Sequence, residues 1–143
     1  LHADALLGRF ADTAYAYRFG PPPCDVAVAQ LRAADGRVLA EDFYFPQGLR
    51  LPMQHAAQVK ATGERQADGS VRVMLACDTF LQSVHFDCAG YRPDDAHFHL
   101  APGGAKPVCF HPQAQPTAGA RWPKFKLHVG ALNLRDAITL RVD

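Results

Sequence analysis

Residues 70–112 read SVRVMLACDTFLQSVHFDCAGYRPDDAHFHLAPGGAKPVCFHP, and this stretch decides the fold class. Over residues 71–77, and again over 83–87, apolar side chains alternate with polar or small ones. Alternation with a period of two puts one set of side chains into a core and the other toward solvent, as in a β-strand. The Ala-Pro-Gly-Gly sequence at 101–104 is typical of a turn, because proline fixes one φ angle and glycine accepts a positive one. The stretch therefore predicts half of a β-sandwich.

Strand patterns also occur on the N-terminal side of this stretch. Residues 25–34 and 37–45 flank Asp35-Gly36, the strongest hairpin signal in the chain. A change of phase at Glu41-Asp42 predicts a β-bulge there. An aromatic strand is expected at residues 14–19. This region therefore offers one hairpin and one further strand, which is less than a complete sandwich.

A boundary between two parts of the chain is expected at residues 46–52, where PQGLRLP interrupts the strand pattern. Beyond it we expect about seven short strands, the last of them at residues 125–131 and 138–142, as in an immunoglobulin-like sandwich. The predicted fold is therefore all-β. Residues 51–143 are expected to form an immunoglobulin-like β-sandwich, and residues 1–50 an N-terminal β-hairpin region.

The composition is that of a globular domain with no electrostatic signal for nucleic acid. Of the 143 residues, 48% are hydrophobic, and 15 basic residues balance 14 acidic ones. A nucleic-acid-binding domain would normally be more basic. No apolar run reaches the roughly 18 residues of a membrane span. We therefore expect neither a nucleic acid nor a membrane as partner. Because the chain opens without methionine or a leader, we expect a fragment of a longer protein, whose location stays open.

The four cysteines, Cys24, Cys77, Cys88 and Cys109, are widely spaced and form no CxxC pair. Small secreted scaffolds held by disulfides are denser in cysteine. We expect free thiols buried on strands, because cysteine is among the most buried residue types. The alternative is a disulfide, for which Cys77 and Cys88 are the first pair to consider, since they flank one predicted hairpin.

Several groups of residues follow one another in an order found in a known family. The most specific group is residues 94–103, where the family pattern is close to Ser-Asp-Asn-x-Phe-x-Leu-x-Pro-Gly. Asp94 and Ala96 replace its serine and asparagine, and the matching residues are Asp95, Phe98, Leu100, Pro102 and Gly103. The other groups are residues 25–36, 43–46, 71–77, 84–86 and 129–133. On these residues the chain resembles the C-terminal end of the β-mannosidases of glycoside hydrolase family 2.

This resemblance implies a role for the chain. Such enzymes are multidomain hydrolases that remove terminal non-reducing β-D-mannose residues with retention, and their two catalytic glutamates lie on a (β/α)8 barrel followed by Ig-like domains. The resemblance implies that residues 1–50 are the C-terminal strands of the penultimate Ig-like domain and that residues 51–143 are the whole last one. The chain would then be a non-catalytic accessory part. Its partners would be the catalytic barrel and the preceding Ig-like domain of the same parent chain.

No catalytic residue and no cofactor are predicted. Retaining hydrolysis needs two carboxylates about 5–5.5 Å apart in a pocket. The acidic residues lie mostly at predicted turns and strand ends, and the neighbours Asp94 and Asp95 would face opposite ways on a strand. Turn formation is therefore the favoured role for these side chains.

His97 and His99 are the candidate metal ligands. An HxH pair on one strand places both rings on the same face, and His85, Cys109 or His111 could add a ligand. However, Phe98 between them is expected in the core, which would direct both histidines toward solvent. No metal site is therefore predicted.

Aromatic residues are candidates for contact with carbohydrate or with a neighbouring domain; they are Tyr15, Tyr17, Tyr44 and Trp122. Exposed rings stack on the apolar faces of sugars, so one alternative function is a carbohydrate-binding module that engages mannan or manno-oligosaccharides. The favoured interpretation is packing against other domains. A stand-alone adhesion or interaction domain is a third class. In isolation, the N-terminal strands would need a partner sheet, which a homodimer or the C-terminal sandwich would supply.

Overall fold

The structure, a computed structural model, describes residues 2–12, 14, 16, 20–22, 24–54, 57–117 and 121–142. It is nearly all-β, as the sequence predicts. The chain divides into two compact units, Leu1–Pro52 and Met53–Asp143, close to the expected boundary. Most of the aromatic strand expected at residues 14–19 lies outside the described residues. No helix in the described part is long and apolar enough to span a membrane.

The described residues form one short helix and ten strands. They are α1 (Ala3–Leu7), β1 (Ala27–Arg32), β2 (Val38–Tyr44), β3 (Val59–Arg65), β4 (Val71–Cys77), β5 (Leu81–Asp87), β6 (Tyr91–Pro93), β7 (Phe98–Leu100), β8 (Ala105–Pro112), β9 (Phe125–Gly130) and β10 (Ile138–Val142). Strands β3 to β10 belong to the second unit, which gives one strand more than the sequence predicts. The two strands of three residues, β6 and β7, lie in a stretch that carries too little alternation to define both.

The N-terminal unit contains a two-stranded antiparallel sheet of β1 and β2. The predicted hairpin turn is confirmed: Gly36 has a φ of 86°, and its N–H donates to the Ala33 carbonyl at 2.9 Å. Only glycine adopts this φ without steric cost, so Asp35-Gly36 closes the hairpin as its sequence suggests.

The bulge predicted at Glu41-Asp42 is wrong. Glu41 pairs regularly with Gln30, and the register shifts instead between Leu31 and Arg32, next to the turn. The Gln30 side-chain amide donates to the Glu41 carboxylate, which helps to keep this pair in register. The phase change in the sequence therefore reflects two polar residues on an exposed hairpin, and not an extra residue at that point.

The described residues of the Met53–Asp143 unit form two four-stranded sheets. Their strand orders are β10-β9-β5-β7 and β3-β4-β8-β6, and the pairings are antiparallel. Pro102 and Gly103 form the predicted turn before β8; Gly103 has a φ of 70°, and the Gly104 N–H donates to the Ala101 carbonyl at 2.9 Å. The central stretch of the sequence thus supplies strands to both sheets.

Side chains from both sheets meet in one core. In β4 the alternate residues Val71, Val73 and Leu75 are buried, as the period of two predicts. Phe110 of one sheet and Phe125 of the other contact edge to face, with ring centroids 5.3 Å apart. Burying each such side chain stabilises the fold by about 1.5–3 kcal/mol relative to exposure. The two sheets therefore form a β-sandwich.

The four cysteines are free thiols, and no disulfide joins Cys77 to Cys88. Cys77 is buried at the end of β4, whereas Cys24, Cys88 and Cys109 are half-buried. The expectation of free thiols agrees with the structure, but only Cys77 is fully in the core. Burial raises the pKa of the Cys88 thiol to about 11, so this group is protonated and unreactive near neutral pH.

Candidate functional site

The least regular backbone of the sandwich lies where β7 meets β5. The register between these strands shifts between Leu81 and Val84. Ser83, within this shift, has a φ of 50°, and His97, immediately before β7, has a φ of 61°. Among the described residues these are the two non-glycine residues with positive φ. Such a conformation costs energy for a residue with a Cβ atom, so contacts of the side chains and backbone must hold it.

Each hydrogen-bonding group of Ser83 is bound to a different histidine. Its N–H donates to Nδ1 of His99 at 3.0 Å. Its carbonyl oxygen accepts from Nδ1 of His85 at 3.2 Å, and its hydroxyl lies 3.5 Å from Nδ1 of His97. We call these four residues, Ser83, His85, His97 and His99, the Ser83 cluster. It links β5 to β7 and to the residue that precedes β7.

The hydrogen bonds define the protonation of two of these rings. Because a backbone N–H can only donate, Nδ1 of His99 must carry no proton. Because a carbonyl oxygen can only accept, Nδ1 of His85 must carry one. The His99 ring is half-buried, with its centroid 5.7 Å from that of Phe80. This burial lowers the pKa of His99, since removing the ring from water disfavours its charged form.

The expectation that His97 and His99 lie on the same face of one strand is wrong. His97 precedes β7, and its positive φ takes it out of the alternation, so the two rings do not share one face of a strand. His97 is exposed and stacks near His85, with centroids 6.3 Å apart and an angle of 21° between the rings. Within the described ranges, no group of three or more His, Cys, Asp or Glu residues could hold a metal ion.

Phe98 is half-buried and not in the centre of the core, contrary to expectation. Its ring centroid lies 6.0 Å from that of Phe86, and the ammonium group of Lys106 lies 4.2 Å from the ring centroid. The reason is that β7 is a three-residue strand at the edge of its sheet, where a side chain has a neighbour on one side only. The ammonium group of Lys106, from β8 of the other sheet, covers part of the ring.

The acidic pair of the family-like segment stabilises the loop before β7. Asp94 accepts a hydrogen bond from the backbone N–H of Cys109 at 2.9 Å, and the backbone N–H of Asp94 donates to the Cys109 carbonyl. Asp95 forms an ion pair with Lys106 at 2.6 Å. Both carboxylates thus fasten the loop to β8, in keeping with the role in loop formation favoured from the sequence.

Trp122 packs on the turn between β3 and β4. A Cβ atom at Gly69 would lie 2.2–2.4 Å from atoms of the indole ring, so the ring rests directly on the glycine. Arg65 donates to the Tyr91 hydroxyl at 2.8 Å and to the Pro123 carbonyl at 3.1 Å, and Tyr91 donates to the same carbonyl at 3.0 Å. These bonds fix the backbone beside Trp122. One part of the ring is therefore covered by the protein itself.

The remaining aromatic candidates belong to the N-terminal unit. Tyr44, at the end of β2, is 52% exposed. Tyr15 and Tyr17 lie outside the described residues. The described part of this unit carries many large apolar side chains that are each more than half exposed: Leu6, Leu7, Phe10, Leu31, Leu39, Tyr44 and Leu49. In the described part of the sandwich only Leu132 exceeds that exposure.

Two surface cavities occur on the sheet that contains β3 and β4. One, of about 340 Å³, is lined by Glu64 with Thr62, Gly63, Arg72 and Met74. The other, of about 240 Å³, is lined by Asp78 with Gln58, Lys60, Ala76, Cys77, Gly103 and Gly104. Each of the two contains one carboxylate. The Asp78 carboxylate already accepts a hydrogen bond from the Gln58 backbone at 2.9 Å.

Reasoning from the sequence missed Ser83 and Asn133. Ser83 occupies a position that the alternation assigns to an ordinary strand residue, and no glycine or asparagine marks its positive φ. Asn133 was noted only as part of a family-like motif, yet it is 2% exposed and bonds two backbone groups. A lone asparagine beside buried apolar residues is the one signal that could have identified it.

Comparison with known protein families, with curated proteins and with solved structures finds no match to this chain.

Proposed function

We propose that this chain is a non-catalytic accessory region of a β-mannosidase-like glycoside hydrolase. In this proposal Met53–Asp143 is an immunoglobulin-like domain, and Leu1–Pro52 contains the last strands of a preceding one. The region packs against the catalytic barrel of the same parent chain. The observation that carries the proposal is the exposed apolar surface of the N-terminal unit, and the family-like motifs of the sequence supply the identity of the parent.

The strand order supports the immunoglobulin-like assignment. An immunoglobulin domain places strands A, B, E and D in one sheet and C, F and G in the other. Here β3-β4-β8-β6 corresponds to A-B-E-D, and β10-β9-β5 corresponds to G-F-C. Strand β7 extends the second sheet beside β5, at the position where extra strands occur in larger immunoglobulin domains.

The N-terminal unit has the features of a docking surface. A two-stranded sheet is marginally stable alone in water. Along β1 and β2 nearly every residue is exposed, and Leu31 and Leu39 project large apolar side chains. Interfaces between domains commonly show large exposed apolar side chains when the partner is absent. A neighbouring domain of the parent chain is the partner that this proposal assigns to it.

The described carboxylates favour a non-catalytic role. Retention of configuration requires two carboxyl groups that share one pocket. Asp94 and Asp95 are bound to β8, and Asp68 accepts from both the backbone and the hydroxyl of Ser70. The hydrogen bonds from Ser70 lower the pKa of Asp68, which suits a turn-forming carboxylate and not a general acid.

The alternative, a carbohydrate-binding module, draws its support from Tyr44 and Trp122. Sugar stacking needs open ring faces. The indole of Trp122 rests on Gly69 and is half-buried, whereas Tyr44 is exposed on a separate unit. This favours packing over sugar binding as the main use of the aromatic residues.

The isolated chain is expected to have no glycosidase activity and no measurable affinity for manno-oligosaccharide. Turnover is measured with p-nitrophenyl β-D-mannoside at high protein concentration. Binding is measured through the fluorescence of Trp122, the one tryptophan of the chain, during titration with mannohexaose. Turnover that survives repurification and is lost on replacing one of the chain's own carboxylates would refute the proposal. A saturable fluorescence shift would favour the binding module.

At high concentration the isolated chain is expected to associate through its N-terminal unit, because the surface assigned to the parent domain is then open to a second copy. Light scattering should give a mass that rises with concentration. Leu31→Lys combined with Leu39→Lys should abolish this rise, since both side chains are exposed and apolar. The matched control is Leu132→Lys, at a 64% exposed leucine of the sandwich, which should leave it intact. A strictly monomeric wild-type chain, or equal effects of both variants, would contradict the assigned surface.

The parent is identified by the coding sequence upstream of Leu1. The proposal requires it to encode a (β/α)8 barrel with two glutamates at strand ends. An upstream sequence without a barrel would leave the docking surface in place and remove its proposed partner.

A further inference from the structure

The Ser83 cluster joins β5 to β7 through imidazole rings, whose nitrogens donate or accept a hydrogen bond according to their protonation. The backbone N–H of Ser83 donates to Nδ1 of His99 at 3.0 Å. If His99 gains a proton, Nδ1 becomes a donor, and two donors then face each other. Protonation of this ring is therefore incompatible with the hydrogen bond that holds Ser83.

The other two histidines add to the same effect. The rings of His85 and His97 stack with centroids 6.3 Å apart, and both are exposed. When both are charged, like charges lie close together across the boundary between the two strands, which is unfavourable. His85 can keep its bond to the Ser83 carbonyl in either state, so the repulsion acts on His97 and on the segment that carries it.

Besides the cluster, side-chain packing and a short strand pairing hold β7: Leu100 is buried in the core, and Phe98 packs against Phe86. The strand has three residues and pairs with β5 at Leu81 with Leu100 and at Val84 with Phe98. The backbone N–H of His97 also donates to the Val84 carbonyl at 2.6 Å. Ser83 and His97 both occupy positive φ, so the backbone tends to relax once the cluster loosens.

Other charged or titratable side chains near the cluster lie on β5, β9, β8 and the loop before β7. On β5 the next outward residue is Asp87, and His128 of β9 lies opposite it. On the loop before β7, Asp95 is paired with Lys106 of β8. Nδ1 of His128 lies 3.1 Å from the hydroxyl of Thr139 on β10, the strand at the opposite edge of the sheet from β7. Among these described groups, His85 and His99 are the ones bonded to the Ser83 backbone.

We propose that the Ser83 cluster is a pH-sensitive latch: the neutral His99 ring holds Ser83 and thereby the contact between β5 and β7, and protonation of His99 in acid loosens this edge of the sheet while the core stays folded. Burial lowers the pKa of His99 in the folded state. Its contribution to stability is thus fully present above the unfolded value of about 6.5 and is lost as the pH falls through the lower folded value. Opening uncovers the backbone edge of β5, where another strand can pair.

Amide hydrogen exchange of the whole chain tests the latch. The protection factors of the Ser83 and His97 amides, which correct for intrinsic exchange, are expected to fall about tenfold when the pH is lowered from about 7.5 to about 5.5. A tenfold change corresponds to the loss of about one hydrogen bond. Amides of β4 and β9 should keep their protection and serve as internal controls. Unchanged protection at Ser83 and His97, or an equal loss throughout the sandwich, would overturn the proposal.

His99→Asn keeps an acceptor near the position of Nδ1 but cannot titrate, so it should remove most of the pH dependence at Ser83. His111→Asn, at an exposed position of β8 in the other sheet, is the matched control and should retain it. A pH dependence that persists in the His99 variant would overturn the latch. Should that variant fail to fold, imidazole nitrogen spectra of the wild-type chain decide the matter. The latch requires His99 to carry its proton on Nε2 at neutral pH, and a proton on Nδ1 would refute it.

Discussion

Replacing Gly69 by alanine is expected to lower the free energy of unfolding of the Met53–Asp143 unit by about 2–5 kcal/mol, the combined cost of a positive φ and an overpacked site. Gly69 has a φ of +81°, and a Cβ atom there would lie 2.2 Å from Cδ2 of Trp122. The indole cannot move aside freely, because the Pro123 carbonyl next to it is held by Arg65 and Tyr91. Denaturant unfolding followed by Trp122 fluorescence and by circular dichroism measures the loss.

Two controls separate the steric cost from the backbone cost. Gly90 has a φ of +79° in the same unit, with no atom within 4 Å of a Cβ built there, so Gly90→Ala should cost only the strain of about 1–2 kcal/mol. In a chain that already carries Trp122→Ala, Gly69→Ala should also lower the free energy of unfolding by only about 1–2 kcal/mol, because the indole that the new Cβ atom would meet is absent. An equal cost of Gly69→Ala with and without the indole would contradict the packing described here.

The sequence predicts well what depends on neighbours along the chain. The alternation of residues 71–77 predicted the bounds of β4 and its buried face, because a strand in a two-layer protein has one side toward solvent and one side toward the core. Asp35-Gly36 and Pro102-Gly103 marked turns correctly, since the φ angles those turns need are favourable for glycine.

The sequence does not predict what depends on residues far apart. The contact of Trp122 with Gly69 joins positions more than fifty residues apart, and only the arrangement of β3, β4 and β9 brings them together. The phase change at Glu41-Asp42 suggested a bulge, but pairing with the opposite strand placed the register shift beside Leu31. In both cases local pattern lacks the information that the partner strand supplies.

At the candidate site, too, the local pattern fails where the structure depends on residues far apart in the sequence. A period of two put His97 and His99 on one face, which holds only if both belong to the strand. His97 adopts a positive φ before β7 begins, so the rings of the two histidines turn to different neighbours, His85 and Phe80. Ser83 has no local signal at all, because its conformation is imposed by three histidines from two strands and the intervening loop.

Replacing Asn133 by alanine is expected to lower the free energy of unfolding by about 2–4 kcal/mol, because it leaves two buried backbone groups without partners. The Asn133 side chain donates to the Phe80 carbonyl at 2.9 Å and accepts from the Gln82 N–H at 2.8 Å. Phe80, Gln82 and Asn133 are all buried, so bulk water does not directly reach the carbonyl and N–H that lose their partner. The loop between β9 and β10 is thereby fastened to the start of β5. Denaturant unfolding at neutral pH measures the effect.

For the variant Asn133→Asp, the direction in which stability changes with pH can be predicted. An ionised aspartate can still accept from Gln82, but it cannot donate to Phe80, and burial of its charge is costly. A protonated aspartate can do both, so its pKa in the folded state should lie above the unfolded value of about 3.9. Stability should therefore be closest to that of the wild type below that unfolded value and should fall as the pH rises through the folded one. Because acid also acts on the rest of the chain, the difference between variant and wild type at each pH is the quantity to measure. A difference that does not change with pH would mean that the side chain does not bridge the two backbone groups.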